Sequence, residues 1–174
     1  MSLMDHKENK LSLELLVPYL IYTYVLRKKP SVSSMDNRIL WQKVGYLAKQ
    51  LGMPLNSYQF NWYIRGPYSP AYTSILYSIN ENIDELIAQG KNFSLTDSVK
   101  KGLEPLVMAV EYAPSGISET HWLELLASVH FIKKNLNTDN KQQVFLKLIK
   151  EKPHYNIPDL FNEAWKALED AKLF

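Results

Sequence analysis

None of the 174 residues is a cysteine, which excludes disulfides, thiolate metal sites and cysteine nucleophiles. Glycine is scarce, with six residues. None of them falls in a GxGxxG, GxxxxGK[ST] or GxSxG pattern, so the usual phosphate-cradling turns and the nucleophile elbow are missing. Long apolar runs are lacking too. The stretch from Leu15 to Ile21 is interrupted by Pro18 and is far shorter than the roughly 20 residues that cross a bilayer as helix. The opening MSLMDHKENK has no signal-peptide core, so a cytoplasmic location without a membrane partner is expected. Excess charge of one sign is absent as well: 20 basic against 18 acidic residues leave a formal charge of +2. That balance gives no whole-chain electrostatic footprint for nucleic acid or anionic lipid.

The remaining chemistry is thin. The four histidines, His6, His121, His130 and His154, form no HExxH. His121 and Glu124 could share a helix face, but two ligands fall short of the three or four that zinc takes from a protein. The acidic pairs Asp84-Glu85 and Glu169-Asp170 are adjacent, and neighbours on a helix diverge by about 100°. No catalytic residue, metal or cofactor is therefore expected, and the chain reads as non-enzymatic.

What is present is a helical pattern with one short interruption. Leu15, Leu16, Tyr19, Leu20 and Val25 predict a first helix over 11–26, with Pro18 delaying or kinking it. Leu40, Val44, Leu47, Ala48 and Leu51 predict a second over 39–51, stopped by Gly52. From Tyr58 to Ile64 the period changes to two, which predicts a half-buried strand ending at Arg65-Gly66-Pro67. Ser69-Pro70 then supplies a cap and a first-turn proline for a helix striped with Tyr72, Ile75, Leu76 and Ile79. Asn80 caps a short helix carrying Ile83, Leu86 and Ile87. Phe93 and Leu95 predict an extended piece, and Thr96-Asp97 opens a helix with Leu103, Leu106 and Val110 inward. Ala113-Pro114-Ser115-Gly116 is the clearest break. Three more helices are predicted beyond it: Glu119–Lys134 with Trp122, Leu125, Leu126, Val129 and Ile132 inward, one capped by Asp139 with Gln142, and one opened by Pro158. These elements predict a mainly α fold with a small β component, a core over 1–113 and a C-terminal helical extension over 114–174 packed on it.

Two surfaces invite a functional reading. Between Arg27 and Arg65 the basic residues Arg27, Lys28, Lys29, Arg38, Lys43, Lys49 and Arg65 meet a single acid, Asp36. Arg27, Lys43, Lys49 and Arg65 are the DNA-binding candidates; the bland alternative is separate solvated side chains on different faces. The segment 61–77 gathers Trp62, Tyr63, Tyr68, Tyr72 and Tyr77 around Arg65 and a stiff Gly-Pro turn. Tyrosine and arginine are enriched at interface hot spots, which makes Tyr63, Arg65, Tyr68, Tyr72 and Tyr77 the protein-interaction candidates. The bland alternative is a rigid connection whose aromatics fill the core.

The run WQKVGYLAKQLGMPLNSYQFNWYIRGPYSPAYTSI resembles the core of the Panacea-domain antitoxin family and its bacterial and archaeal relatives. Their pattern is a helix of the form LQKLxYLAQ, an aromatic-rich strand, and a YGPYSP or YGPVxP turn entering a helix. Trp41, Gln42, Lys43, Tyr46, Leu47, Ala48, Trp62, Gly66, Pro67, Ser69, Pro70 and Tyr72 fall on that pattern. Arg65 stands where tyrosine is usual, and the later WLELLASVHFIKKN differs. The resemblance spans 40–79, under a quarter of the chain, and implies an antitoxin-like or adaptor-like module that binds another protein. The element order also resembles a winged helix, in which the helix before the wing often enters the major groove. Here that helix carries Glu81, Asp84 and Glu85, which would repel phosphates. A protein partner is thus the first expectation and a DNA-binding regulator the second, with nothing in the sequence opposing oligomerisation.

Overall fold

The computed structural model describes residues 3–55 and 57–174, with side chains from residue 13 onward. Eight α-helices, one two-stranded hairpin and one short 3-10 turn make up the described residues, in the order α1 (Leu3–Leu26), α2 (Met35–Gln50), β1 (Asn61–Tyr63), β2 (Gly66–Tyr68), α3 (Pro70–Glu81), α4 (Ile83–Gly90), α5 (Asp97–Glu111), α6 (Glu119–Leu136), α7 (Lys141–Glu151), the turn Pro153–Tyr155, and α8 (Pro158–Asp170). The mainly helical class with a small β component is what the sequence predicts.

The helix starts follow local chemistry. The side chains of Ser34, Ser69, Thr96 and Ser118 each accept a hydrogen bond from the backbone N–H three residues on, which satisfies one of the donors a helix leaves open at its N-terminus. The predicted cap of α7 is displaced by one position: Asn140, not Asp139, accepts from the Gln143 N–H. Helix α1 runs through Pro18, so the proline is carried within the helix rather than setting its start.

Helices α2 and α6 form the central pair. They pack against each other, α1, α3 and α5 flank α2, and α7 and α8 flank α6. Both are buried well beyond a single stripe. Every residue of α2 from Ile39 to Ala48 is buried, as is every residue of α6 from Trp122 to His130. A helix surrounded on all sides cannot be amphipathic in the usual sense, which is why the single inward stripe predicted for α6 understates its burial. Side chains from both sides of the break at 113–116 join one hydrophobic core. Residues 114–174 therefore supply one of the two central helices of that core.

The predicted strand over 58–64 is shorter than its alternation suggests. Only Asn61–Tyr63 is paired, antiparallel to Gly66–Tyr68, with the register Asn61↔Tyr68, Trp62↔Pro67 and Tyr63↔Gly66. The chain reverses at Ile64-Arg65, so Ile64 leaves the half-buried series and is 77% exposed. Gly66 takes a φ of +87°, and a Cβ there would lie 2.7 Å from Ser128 Oγ on α6. Both the left-handed backbone and the close approach require glycine. The extended piece predicted around Phe93 and Leu95 pairs with no strand among the described residues.

Candidate functional site

The site grows from the hairpin and its two supports. On the inner side, three successive residues of α2 read along the turn into α3. Trp41 Nε1 donates to the Tyr72 carbonyl at 2.8 Å. The Gln42 amide donates to the Ser69 carbonyl at 3.0 Å and accepts from the Ser69 N–H at 2.9 Å. Lys43 Nζ donates to the Pro67 carbonyl at 2.7 Å. Consecutive helix side chains fan out by about 100°, and here that fan embraces the bend from β2 into α3. Trp41 and Tyr72 stack with ring centroids 4.6 Å apart. Gly45, one turn further on, lets the Tyr72 ring lie against the α2 backbone: a Cβ there would come within 2.1 Å of the ring.

A second support comes from the far end of the chain. Lys152, just after α7, donates to the Ile64 carbonyl at 2.7 Å and pairs with Glu124 of α6 at 2.9 Å. Both side chains are buried. The hairpin is thus held from below by two buried lysines, Lys43 under β2 and Lys152 under the turn. Burial pulls the Lys43 ammonium down to about 7, against an opposing pull from Glu124 and with a further push from Lys152, because a low-dielectric setting disfavours the charged form.

On the outer side lies a groove of about 470 Å³ between α2, the hairpin and α3. Met35, Arg38, Ile39, Gln42 and Lys43 line it from α2, Tyr63, Ile64, Arg65 and Tyr68 from the hairpin, and Thr73 and Tyr77 from α3. Tyr63 and Tyr68 stack across the strand pair with centroids 5.4 Å apart, and Tyr68 is anchored by the Thr73 hydroxyl donating to its own at 3.1 Å. Tyr63 is 61% and Tyr77 45% exposed. The groove offers aromatic and apolar walls with cationic groups at its edges. Concave, largely apolar surfaces with a few polar groups are where ligands bind in proteins generally.

The structure thereby brings Tyr63, Arg65, Tyr68 and Tyr77 into one groove and separates Tyr72 from them. Tyr72 is buried and its hydroxyl is raised well above the ordinary tyrosine range by that burial, so it contributes core, not surface. The four basic candidates do not form one exposed face. Lys43 is buried under the hairpin, and Lys49 Nζ donates to the Tyr58 carbonyl at 2.6 Å. Arg27, the residue after α1, sets its guanidinium over the Tyr24 ring. Of the spaced pair His121 and Glu124, His121 Nδ1 shares a 2.9 Å hydrogen bond with Ser118 Oγ and Glu124 Oε1 pairs with Lys152.

Sequence reasoning missed Met35, Arg38 and Ile39 as lining residues. Their signal was there, because 35, 38, 39 and 42 follow the i, i+3, i+4, i+7 spacing of one helix face. No protein-family model, curated protein or solved structure matches the chain.

Proposed function

We propose that the protein is a non-enzymatic protein-interaction module that holds a partner protein in the groove between α2, the hairpin and α3. The observation that carries this reading is the convergence of Tyr63, Arg65, Tyr68 and Tyr77 on one groove with exposed tyrosine rings. Rigid aromatic and arginine side chains supply contact area at low entropic cost, and they dominate interface energetics. The buried clamps from Lys43 and Lys152 support it, since a recognition surface gains from being held in shape before its partner arrives.

The resemblance to the Panacea-domain antitoxins makes the binding antitoxin-like or adaptor-like, acting by occupancy in the cytoplasm. The hairpin presents Tyr63 and Ile64 exposed at its tip. Co-purification from native lysate with the wild-type chain and with a Tyr63→Ala/Arg65→Ala/Tyr68→Ala variant tests the proposal. The expected result is a reproducible partner that the triple variant loses. A specific partner retained by the variant would refute the groove as the interface. DNA-binding regulation is the competing outcome, and salt-sensitive retention of duplex DNA would replace the protein-binding reading.

A further inference from the structure

The charged residues lining the groove are Arg38, Lys43 and Arg65; no carboxylate lines it. Among the described residues neither arginine has an ion-pair partner. Arg38 donates one bond, to the Val32 carbonyl at 2.9 Å. Lys43 is buried under the hairpin with its Nζ on the Pro67 carbonyl, which leaves the two arginines as the accessible cations. Apart from Gln42 and Thr73, the remaining walls are apolar or aromatic: Met35, Ile39, Ile64, Tyr77 and the Tyr63–Tyr68 stack. One sign of charge around an apolar floor selects a ligand of the opposite sign with an apolar body.

We propose that the occupant of this groove is an acidic peptide segment of the partner, its Leu- or Phe-type side chain resting on Ile39 and the Tyr63–Tyr68 stack and its neighbouring Asp or Glu carboxylates reaching Arg65 and Arg38. This rests on the protein-binding reading above and names the chemistry of its partner. A guanidinium holds a carboxylate through two parallel N–H···O bonds, which sets orientation as well as attraction. Nucleic acid fits less well. A phosphate backbone is tracked by a row of accessible cations, whereas Lys43 is buried and Lys49 is tied to Tyr58.

The test is selection of a phage-displayed random peptide library on the immobilised full chain, followed by affinity measurements on synthetic copies of the enriched peptides. Expected are sequences with Asp or Glu beside Leu, Phe or Trp, whose affinity falls about fivefold in Arg65→Ala and about fivefold in Arg38→Ala. Exchanging their acids for Lys should abolish binding. Arg65 is exposed, so Arg65→Ala leaves the fold intact, and circular dichroism of both variants confirms it. Peptides that require Tyr63 and Tyr68 but show no acidic preference would overturn this inference and leave the protein-binding groove standing. Peptides indifferent to Tyr63, Tyr68 and both arginines, or no enriched peptide at all, would overturn both. Displacement of the peptides by single-stranded DNA at low salt, or a concentration-dependent dimer that Arg65→Ala dissolves, would assign the groove to nucleic acid or to a second copy and overturn the acidic-peptide assignment.

Discussion

Tyr72 and Tyr77 stand on the same helix, α3, on opposite sides of the hairpin's meaning. Tyr72 lies behind it, stacked on Trp41 and packed against Gly45; Tyr77 lies in front, lining the groove. Five residues put them about 140° apart around the helix, enough to turn one into core and the other into surface. In the inner region Gln42, Lys43 and Lys152 each end on a backbone carbonyl. The outer region ends on arginines without acidic partners. Residue type is shared between the two regions, and partners are what separate them.

The sharpest way to break the comparison is Glu124→Ala. It strips the buried Lys152 ammonium of its partner, and such an uncompensated charge destabilises by about 3–5 kcal/mol. Chemical denaturation should show the loss, and pairing Glu124→Leu with Lys152→Met should recover most of it. Gly45→Ala comes next. Its methyl would drive the Tyr72 ring off Trp41, an overpacking loss of about 3 kcal/mol, measured as a lower unfolding midpoint with a weakened near-UV signal.

The pH dependence of stability follows. Burial holds His130 down at about 4, a backbone hydrogen bond with Leu173 opposes the shift, and Lys134 and Lys133 add to it. The unfolded chain then binds more protons than the folded one from about pH 6.5 down to about 4. Stability is present above that window and falls as pH drops through it, by roughly 1–3 kcal/mol. His130→Gln should flatten this acid limb. The smallest effect belongs to the outer region: Tyr63→Ala and Ile64→Ser should change stability by less than about 0.5 kcal/mol while weakening partner capture. If instead they unfolded the protein, the division into a holding face and a binding face would fail.

Much of the helical frame was legible because it rests on local rules. Ser69, Thr96 and Ser118 cap where short polar side chains can reach a free N–H, and Pro70 and Pro158 open helices where no N–H is needed, whereas α2 starts at Met35 behind a Ser34 cap, four residues before the predicted start at Ile39. The strand was half legible. Alternation marked its approach through Tyr58, Phe60 and Trp62, but reversal at Ile64-Arg65 depends on Gly66 meeting Ser128, 62 positions later. The site was legible as composition, in Tyr63, Arg65, Tyr68 and Tyr77, and not as shape. Met35, Arg38 and Ile39 became lining residues only because α3 and the hairpin stop short of covering that face of α2.

By itself, the sequence determined a mainly helical chain and marked the run from Asn61 to Tyr72 as its most distinctive feature, since periodicity, caps and proline positions act within a few residues. Which tyrosine is buried, and which lysines disappear under the hairpin, was decided by tertiary structure alone. So was the union of α2, the hairpin and α3 around one cationic, aromatic groove. Burial and partnership depend on contacts such as Lys152 with Ile64, 88 residues apart, and no local pattern encodes what a side chain will meet across the core.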